Sequence, residues 1–199
     1  MPMQTVKALT SDTHMALGEH FDSVLGAARV GADWAWAALY RDLGPSVRAY
    51  LRASGAPEPD DTLGDVFVHV VRGLAGFAGD EGAFRAWIFA IARNRLVDDH
   101  RYRTRRPVEP VPPEALREAG LIGDVEEEAL RALSLGRIRA VLTRLSPDQR
   151  DVLLLRILGE LTIEEVAAAT GKRPGAVKAL QARGLATLRR QISRKAVSL

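Results

Sequence analysis

From Leu17 onward the apolar positions recur at helical spacing. Phe21, Val24, Leu25 and Ala28 form one stripe, which Gly31 interrupts. Trp34, Ala38, Leu39, Val47, Tyr50 and Leu51 continue it, and Gly44-Pro45 predicts a break into two helical stretches. Ser54 to Pro59 reads as a loop, and Asp60 or Asp61 is placed to cap the helix that follows. That helix carries Leu63, Phe67, Val70, Val71 and Leu74 along one face. Gly76 to Gly82 is a second, glycine-rich loop. A long helix is predicted from Ala83 to Tyr102, with Phe84, Trp87, Ile88 and Ile91 turned inward. Four prolines (Pro107, Pro110, Pro112 and Pro113) then end helical periodicity, which returns over 126–144. Ser146-Pro147-Asp148-Gln149 is a capped start with proline at the first helical position. It leads into an apolar helix over 151–158 that Gly159 ends. No segment shows the period-2 alternation of a strand. The fold class is all-α: two small helical domains joined by a flexible, acidic, proline-containing linker. The expected boundaries are a disordered lead-in over 1–16, a first domain over 17–103, the linker over 104–128 and a second domain over 129–199.

The last of these segments carries the first chemical signal. Thr162 is a good N-cap with Glu165 three residues on, Gly171 ends the helix, and Pro174 fits the first turn of the next one. Helix, glycine turn and helix make a helix-turn-helix, whose second helix is able to enter a DNA major groove. Val177, Leu180, Leu185 and Leu188 are spaced to face a core, leaving Lys178, Arg183, Arg189 and Arg190 on other faces. Lys172 and Arg173 precede that helix, where phosphates gather. Arg183 is the strongest candidate for reading a base edge. Gly184 lies inside the helix at a cost of about 1 kcal/mol relative to alanine, for which the sequence offers no reason.

Charge extends this picture. The chain has 199 residues, with 28 Lys and Arg against 25 Asp and Glu, a net charge of +3. The excess is not spread evenly. Arginines crowd 93–106 and basic residues crowd 172–195, while Glu109, Glu114, Glu118, Asp124 and Glu126 to Glu128 lie between. Two basic blocks around an acidic middle predict two polyanion contacts. There is no cysteine, which excludes disulfides and thiolate metal sites and fits a reducing compartment. No apolar run reaches the roughly 20 residues of a membrane span, so the expectation is a cytoplasmic protein.

The first basic block holds the second signal. Asn94, Asp98 and Arg101 fall at i, i+4 and i+7, so they share one face. An amide, a carboxylate and a guanidinium side by side suit the base edges and phosphates of an unpaired strand. The preceding loop, Phe77 to Gly82, is short enough to wrap a flipped base.

The stretch from Phe84 to Arg101 resembles region 2 of the extracytoplasmic-function (ECF) sigma factors of bacterial RNA polymerase. Its pattern is Phe84-x-x-Trp87-Ile88-x-x-Ile91-Ala92-x-Asn94-x-x-x-Asp98-x-x-Arg101. Asp61-Thr62-Leu63-Gly64-Asp65-Val66-Phe67 is similar to that family's upstream motif, with Gly64 where glutamine is usual. Leu145 to Arg156 resembles the start of region 4. The likeness runs from about Leu17 to Ile192, with three motifs in family order.

The resemblance implies a sigma factor that binds core RNA polymerase, recognises −10 and −35 promoter elements and promotes melting. Asp61, Asp65, Phe67, His69 and Arg72 would face the polymerase, whose β′ clamp and β flap are the implied contacts. Phe77, Gly79 and Asp80 would hold the flipped −10 base, which Asn94 and Asp98 help read, while Arg93, Arg95, Arg101 and Arg103 hold phosphates. Lys172, Arg173, Lys178, Ala179, Ala182 and Arg183 would meet the −35 element, and Ala179 and Ala182 favour thymine methyls or DNA shape. Promoter DNA and an anti-sigma factor are the other implied partners. No cofactor, metal or catalytic residue is implied. Two rival expectations remain at this point. One is a helix-turn-helix regulator binding duplex DNA as a dimer, although dimerisation heptads are lacking. The other is a metal-dependent nuclease built on Asp98, Asp99 and His100. Adjacent residues on a helix point about 100° apart, so those three do not converge.

Overall fold

The structure is a computed structural model that describes residues 17–105 and 142–196. Seven α-helices are present among these residues: α1 (Phe21–Arg29), α2 (Asp33–Ser54), α3 (Pro59–Gly73), α4 (Glu81–Arg105), α5 (Pro147–Ile157), α6 (Ile163–Thr170) and α7 (Pro174–Ala196). Short 3₁₀ turns precede α1 and follow α3. The protein is all-α, as the periodicity predicts. The expected lead-in, the linker and most of the helix over 126–144 lie outside the described residues.

Helices α1 to α4 form one bundle, in which α2 packs on α1, α3 and α4. The stripe of Phe21, Val24, Leu25 and Ala28 is buried in full. Helix α2 departs from the sequence reading, because it runs unbroken through Pro45. Proline removes one backbone bond to the preceding turn. Leu39 and Leu43 before it, and Val47, Tyr50 and Leu51 after it, are all buried in the same core. Burial on both sides outweighs one lost hydrogen bond. Trp34 and Val71 also differ from expectation: each lies on an apolar stripe in sequence, yet both side chains are more than half exposed.

The start of α3 is set by Pro59 at its first position rather than by an aspartate cap. Proline's fixed φ begins the helix one residue ahead of Asp60. Asp60 instead receives Arg48 at 2.6 Å and Arg52 at 3.4 Å, tying α3 to the end of α2.

The second unit begins with the two caps that the sequence signals. Ser146 and Gln149 form a capping box on α5, and Thr162 and Glu165 form another on α6. Gly171 takes a left-handed conformation (φ 66°) and ends α6. Val177 is buried, and Leu180, Leu185 and Leu188 pack against the core. Gly184 now has its explanation. A β-carbon there would lie 2.8 Å from Cδ1 of Leu153, so the residue lets α7 cross directly over α5.

The two units are not separate beads. Helix α2 packs on α5 and α4 packs on α6, and the buried side chains of both units form one continuous core. No period in the sequence announces this contact.

Candidate nucleic-acid interface

The loop between α3 and α4 is braced by aromatic rings. Phe77 stacks on Trp87, with centroids 5.2 Å apart and planes 22° apart, and meets Phe84 edge-on at 5.2 Å. Such pairs add about 0.5–1.5 kcal/mol beyond their buried area. The Phe77 carbonyl accepts from Arg29 Nη2 at 2.6 Å, which fixes the start of the loop to α1. Gly79 adopts φ 157°, and a β-carbon there would fall 2.8 Å from Cβ of Ala83. Asp80 Oδ1 accepts from the Ala83 amide at 2.8 Å and so caps α4. The loop is thus shaped before any ligand arrives, with Gly79 and Asp80 exposed and Phe77 half-buried.

Along α4, Asn94, Asp98 and Arg101 share an exposed face, where Asp98 and Arg101 form a 4.0 Å ion pair. A pair this open contributes little to stability, and both groups are accessible to a ligand. Arg95 reaches back to α3, its Nη2 lying 2.9 Å from Nδ1 of His69. His69 Nδ1 is also 2.9 Å from the Asp65 carbonyl. One expected polymerase residue and one expected phosphate residue therefore touch. The side chain of Arg103 lies outside the described residues.

On α3, Asp61, Asp65 and Arg72 are exposed and His69 is half-buried. Phe67 departs from its expected role. It is 9% exposed and packs under Tyr40, with ring centroids 4.8 Å apart. It is a core residue of the α2–α3 contact because its position faces the stripe of Leu63 and Val70. The exposed large apolar side chains of these two helices are instead Trp34, Tyr40, Val68 and Val71. Sequence reasoning missed that surface because Val71 extends the core stripe in one dimension.

On the second unit, Lys178, Ala179, Ala182 and Arg183 all lie on the exposed face of α7. Arg183 Nε donates to the Ala179 carbonyl at 3.2 Å, which folds the guanidinium along its own helix. Arg173 is exposed, and Lys172 is held 3.0 Å from Asp148 at the start of α5.

Arg93 does not stand free. Its Nε donates to Asp151 Oδ2 at 2.5 Å, and Tyr50 Oη donates to Asp151 Oδ1 at 2.9 Å. Tyr50 is 1% exposed. Burial above all, and then the Asp151 carboxylate beside it, hold its phenol well above the ordinary tyrosine pKa. The folded state therefore keeps this proton to higher pH than the unfolded chain. The resulting stability is fully present below about pH 10 and is lost as pH rises from there toward the folded-state value. Thermal melts across the alkaline range should show this decline, and Tyr50→Phe should flatten it. An unchanged alkaline slope in that variant would contradict the assignment.

Among the described residues no group of three His, Cys, Asp or Glu is placed to hold a metal ion, and no helix is long and apolar enough to cross a membrane. Two polar surfaces remain: a braced loop beside a polar helix, and the basic outer face of a helix-turn-helix.

Comparison with known proteins agrees with that pairing. Residues 39–106 match the family profile "Sigma-70 region 2", and residues 135–188 match "Sigma-70, region 4". The ECF RNA polymerase sigma factor SigD of Mycobacterium tuberculosis is 32% identical over 184 residues, covering 88% of this chain and 85% of SigD. The ECF RNA polymerase sigma factor BldN of Streptomyces coelicolor is 32% identical over 165 residues, covering 82% of this chain but only 62% of BldN. By fold, the chain is similar to CnrH in its complex with the cytosolic domain of CnrY. The TM-score is 0.65 at 24% identity, covering 88% of this chain and 99% of CnrH. It is also similar to RpoE bound to the anti-sigma factor NepR from Bartonella quintana. There the TM-score is 0.54 at 21% identity, covering 75% of this chain and 91% of RpoE. The chain belongs to the ECF family of RNA polymerase sigma factors.

Proposed function

We propose that this chain directs core RNA polymerase to promoters by reading two DNA elements with its two units, and that it makes or breaks no bonds itself. The observation that carries this reading is the presence of both regions, in family order, in one chain whose two polar surfaces have different shapes. The first unit, over 17–103, handles the −10 element. Phe77, Gly79 and Asp80 receive a flipped base, Asn94 and Asp98 read it, and Arg93, Arg95, Arg101 and Arg103 hold the strand. The second unit, over 129–199, docks α7 in the −35 major groove through Lys178, Ala179, Ala182 and Arg183, with Lys172 and Arg173 on phosphates. Core polymerase meets the exposed surface of α2 and α3, where Asp61, Asp65, His69 and Arg72 surround Tyr40, Val68 and Val71. The protein acts in the cytoplasm. An anti-sigma partner is a further expectation, supported by the NepR complex of the Bartonella relative.

Flipping a base costs a few kcal/mol, more than one small loop supplies unaided, so the free chain should bind promoter DNA weakly. The test is transcription in vitro with core polymerase on a genomic library, followed by sequencing of start sites. Start sites that appear only with this chain, preceded by a shared two-part motif, are the expected result. Tight, sequence-specific duplex binding by the free chain, unchanged by adding core polymerase, would overturn the reading.

A further inference from the structure

The contact between the two units is built from carboxylates of the second placed against the strand-reading surface of the first. Asp151, on α5, uses one oxygen for Tyr50 and the other for Arg93. The Arg93 and Asp151 side chains are 21% and 19% exposed, so the pair is largely shielded from solvent. A second carboxylate lies at the loop itself. Glu165 Oε1, on α6, is 3.2 Å from where a β-carbon on Gly82 would stand. The capping box of the helix-turn-helix is thus seated over the end of the Phe77–Gly82 loop. Behind these polar contacts, Tyr50 meets Phe89 edge-on at 5.6 Å, which joins the latch to the core of the first unit.

A carboxylate on a guanidinium offers the same charge and the same hydrogen-bond geometry as a phosphate. Arg93 Nε cannot serve Asp151 and a DNA backbone at once. We propose that Asp151 is an intramolecular stand-in for a promoter phosphate: the chain closes on itself through Asp151, and strand binding requires Arg93 to be exchanged from that carboxylate to nucleic acid. The proposal rests on the reading of α4 as the strand-contacting helix. It assigns Asp151 and Tyr50, which no promoter contact needs, a role in deciding when the strand-reading face is available. Glu165 adds like-charge repulsion against a phosphate approaching the loop.

The chain has no cysteine, so dyes attach cleanly to cysteines introduced at Ala37 and Ala186, both exposed and on different units. Energy transfer between them reports closure in the full chain. A short fluorescein-labelled single strand of promoter sequence reports binding. Asp151→Asn should lower the energy transfer and tighten strand binding by the free chain by about tenfold, equivalent to about 1.4 kcal/mol. Tyr50→Phe, which keeps the ion pair, should give a smaller shift in the same direction. Circular dichroism checks that each variant stays helical. If Asp151→Asn changes neither closure nor strand affinity, the latch is wrong. Arg93→Ala in the holoenzyme then still tests the α4 reading through open-complex formation. If Asp151→Asn opens the chain without tightening binding, and Arg93→Ala leaves open complexes intact, Arg93 is no strand contact and the exchange falls with it.

Discussion

Arg85→Met should lower folding stability by about 3–5 kcal/mol, the cost of breaking a buried ion pair by removing one member. Arg85 is 8% exposed and lies 3.6 Å from Asp42, whose side chain is 4% exposed. Glu81 approaches the same guanidinium at 4.0 Å. The pair bridges α2 and α4 beneath the loop that the flipped base is proposed to enter. Removing the cation takes away the guanidinium that faces the buried Asp42 carboxylate. Replacing both partners, as Asp42→Leu with Arg85→Met, should recover most of the loss, because an apolar pair of similar volume is often as stable as a buried ion pair. Urea titration of the two variants tests this. A single-variant loss below about 1 kcal/mol, the scale of an exposed pair, would mean that water reaches the site.

The second large effect concerns DNA. Arg183→Ala should reduce transcription from promoters that carry the −35 element by about 5- to 150-fold, the range that corresponds to about 1–3 kcal/mol for a bidentate arginine–guanine contact. It should also relax preference at one base pair, whereas Arg173→Ala should weaken all promoters alike and reduce salt dependence. Competition on a library randomised across the −35 element separates the two. If Arg183→Ala weakens every sequence equally, Arg183 is a phosphate contact and base readout on α7 lies elsewhere. The guanidinium is turned back on the Ala179 carbonyl, so reading a base edge would require it to swing away from its own helix.

Helices, caps and the order of regions were legible in the sequence because they depend on local spacing. Thr162 with Glu165, Ser146 with Gln149, and the stripe from Phe21 to Ala28 are each decided within a few residues. Pro45 misled because its local penalty is real, and only burial on both sides of it, a tertiary fact, outweighs it. Phe67 lies in the core as its place on the apolar stripe predicts, and only the family resemblance set it among the polymerase contacts. Its place in a surface-facing motif says nothing of the ring of Tyr40, which lies 27 positions earlier on another helix. The Asp151 latch was beyond any reading of spacing. Asp151 lies 101 residues from Tyr50 and 58 from Arg93, and nothing local marks an aspartate near the start of a helix as other than a surface charge. Gly184 stood between these cases: its oddity was visible, but its reason is a methyl group of Leu153.

The first turn of α4 also governs where the chain enters the fold. Both oxygens of Glu81 accept backbone amides, from Leu17 and Gly18, each at 3.0 Å. The backbone at Leu17 and Gly18 is thereby held against the first turn of α4, beside the Phe77–Gly82 loop. A bulky label attached at Leu17 or Gly18 themselves would break both Glu81 contacts and crowd the loop that is proposed to receive the flipped base.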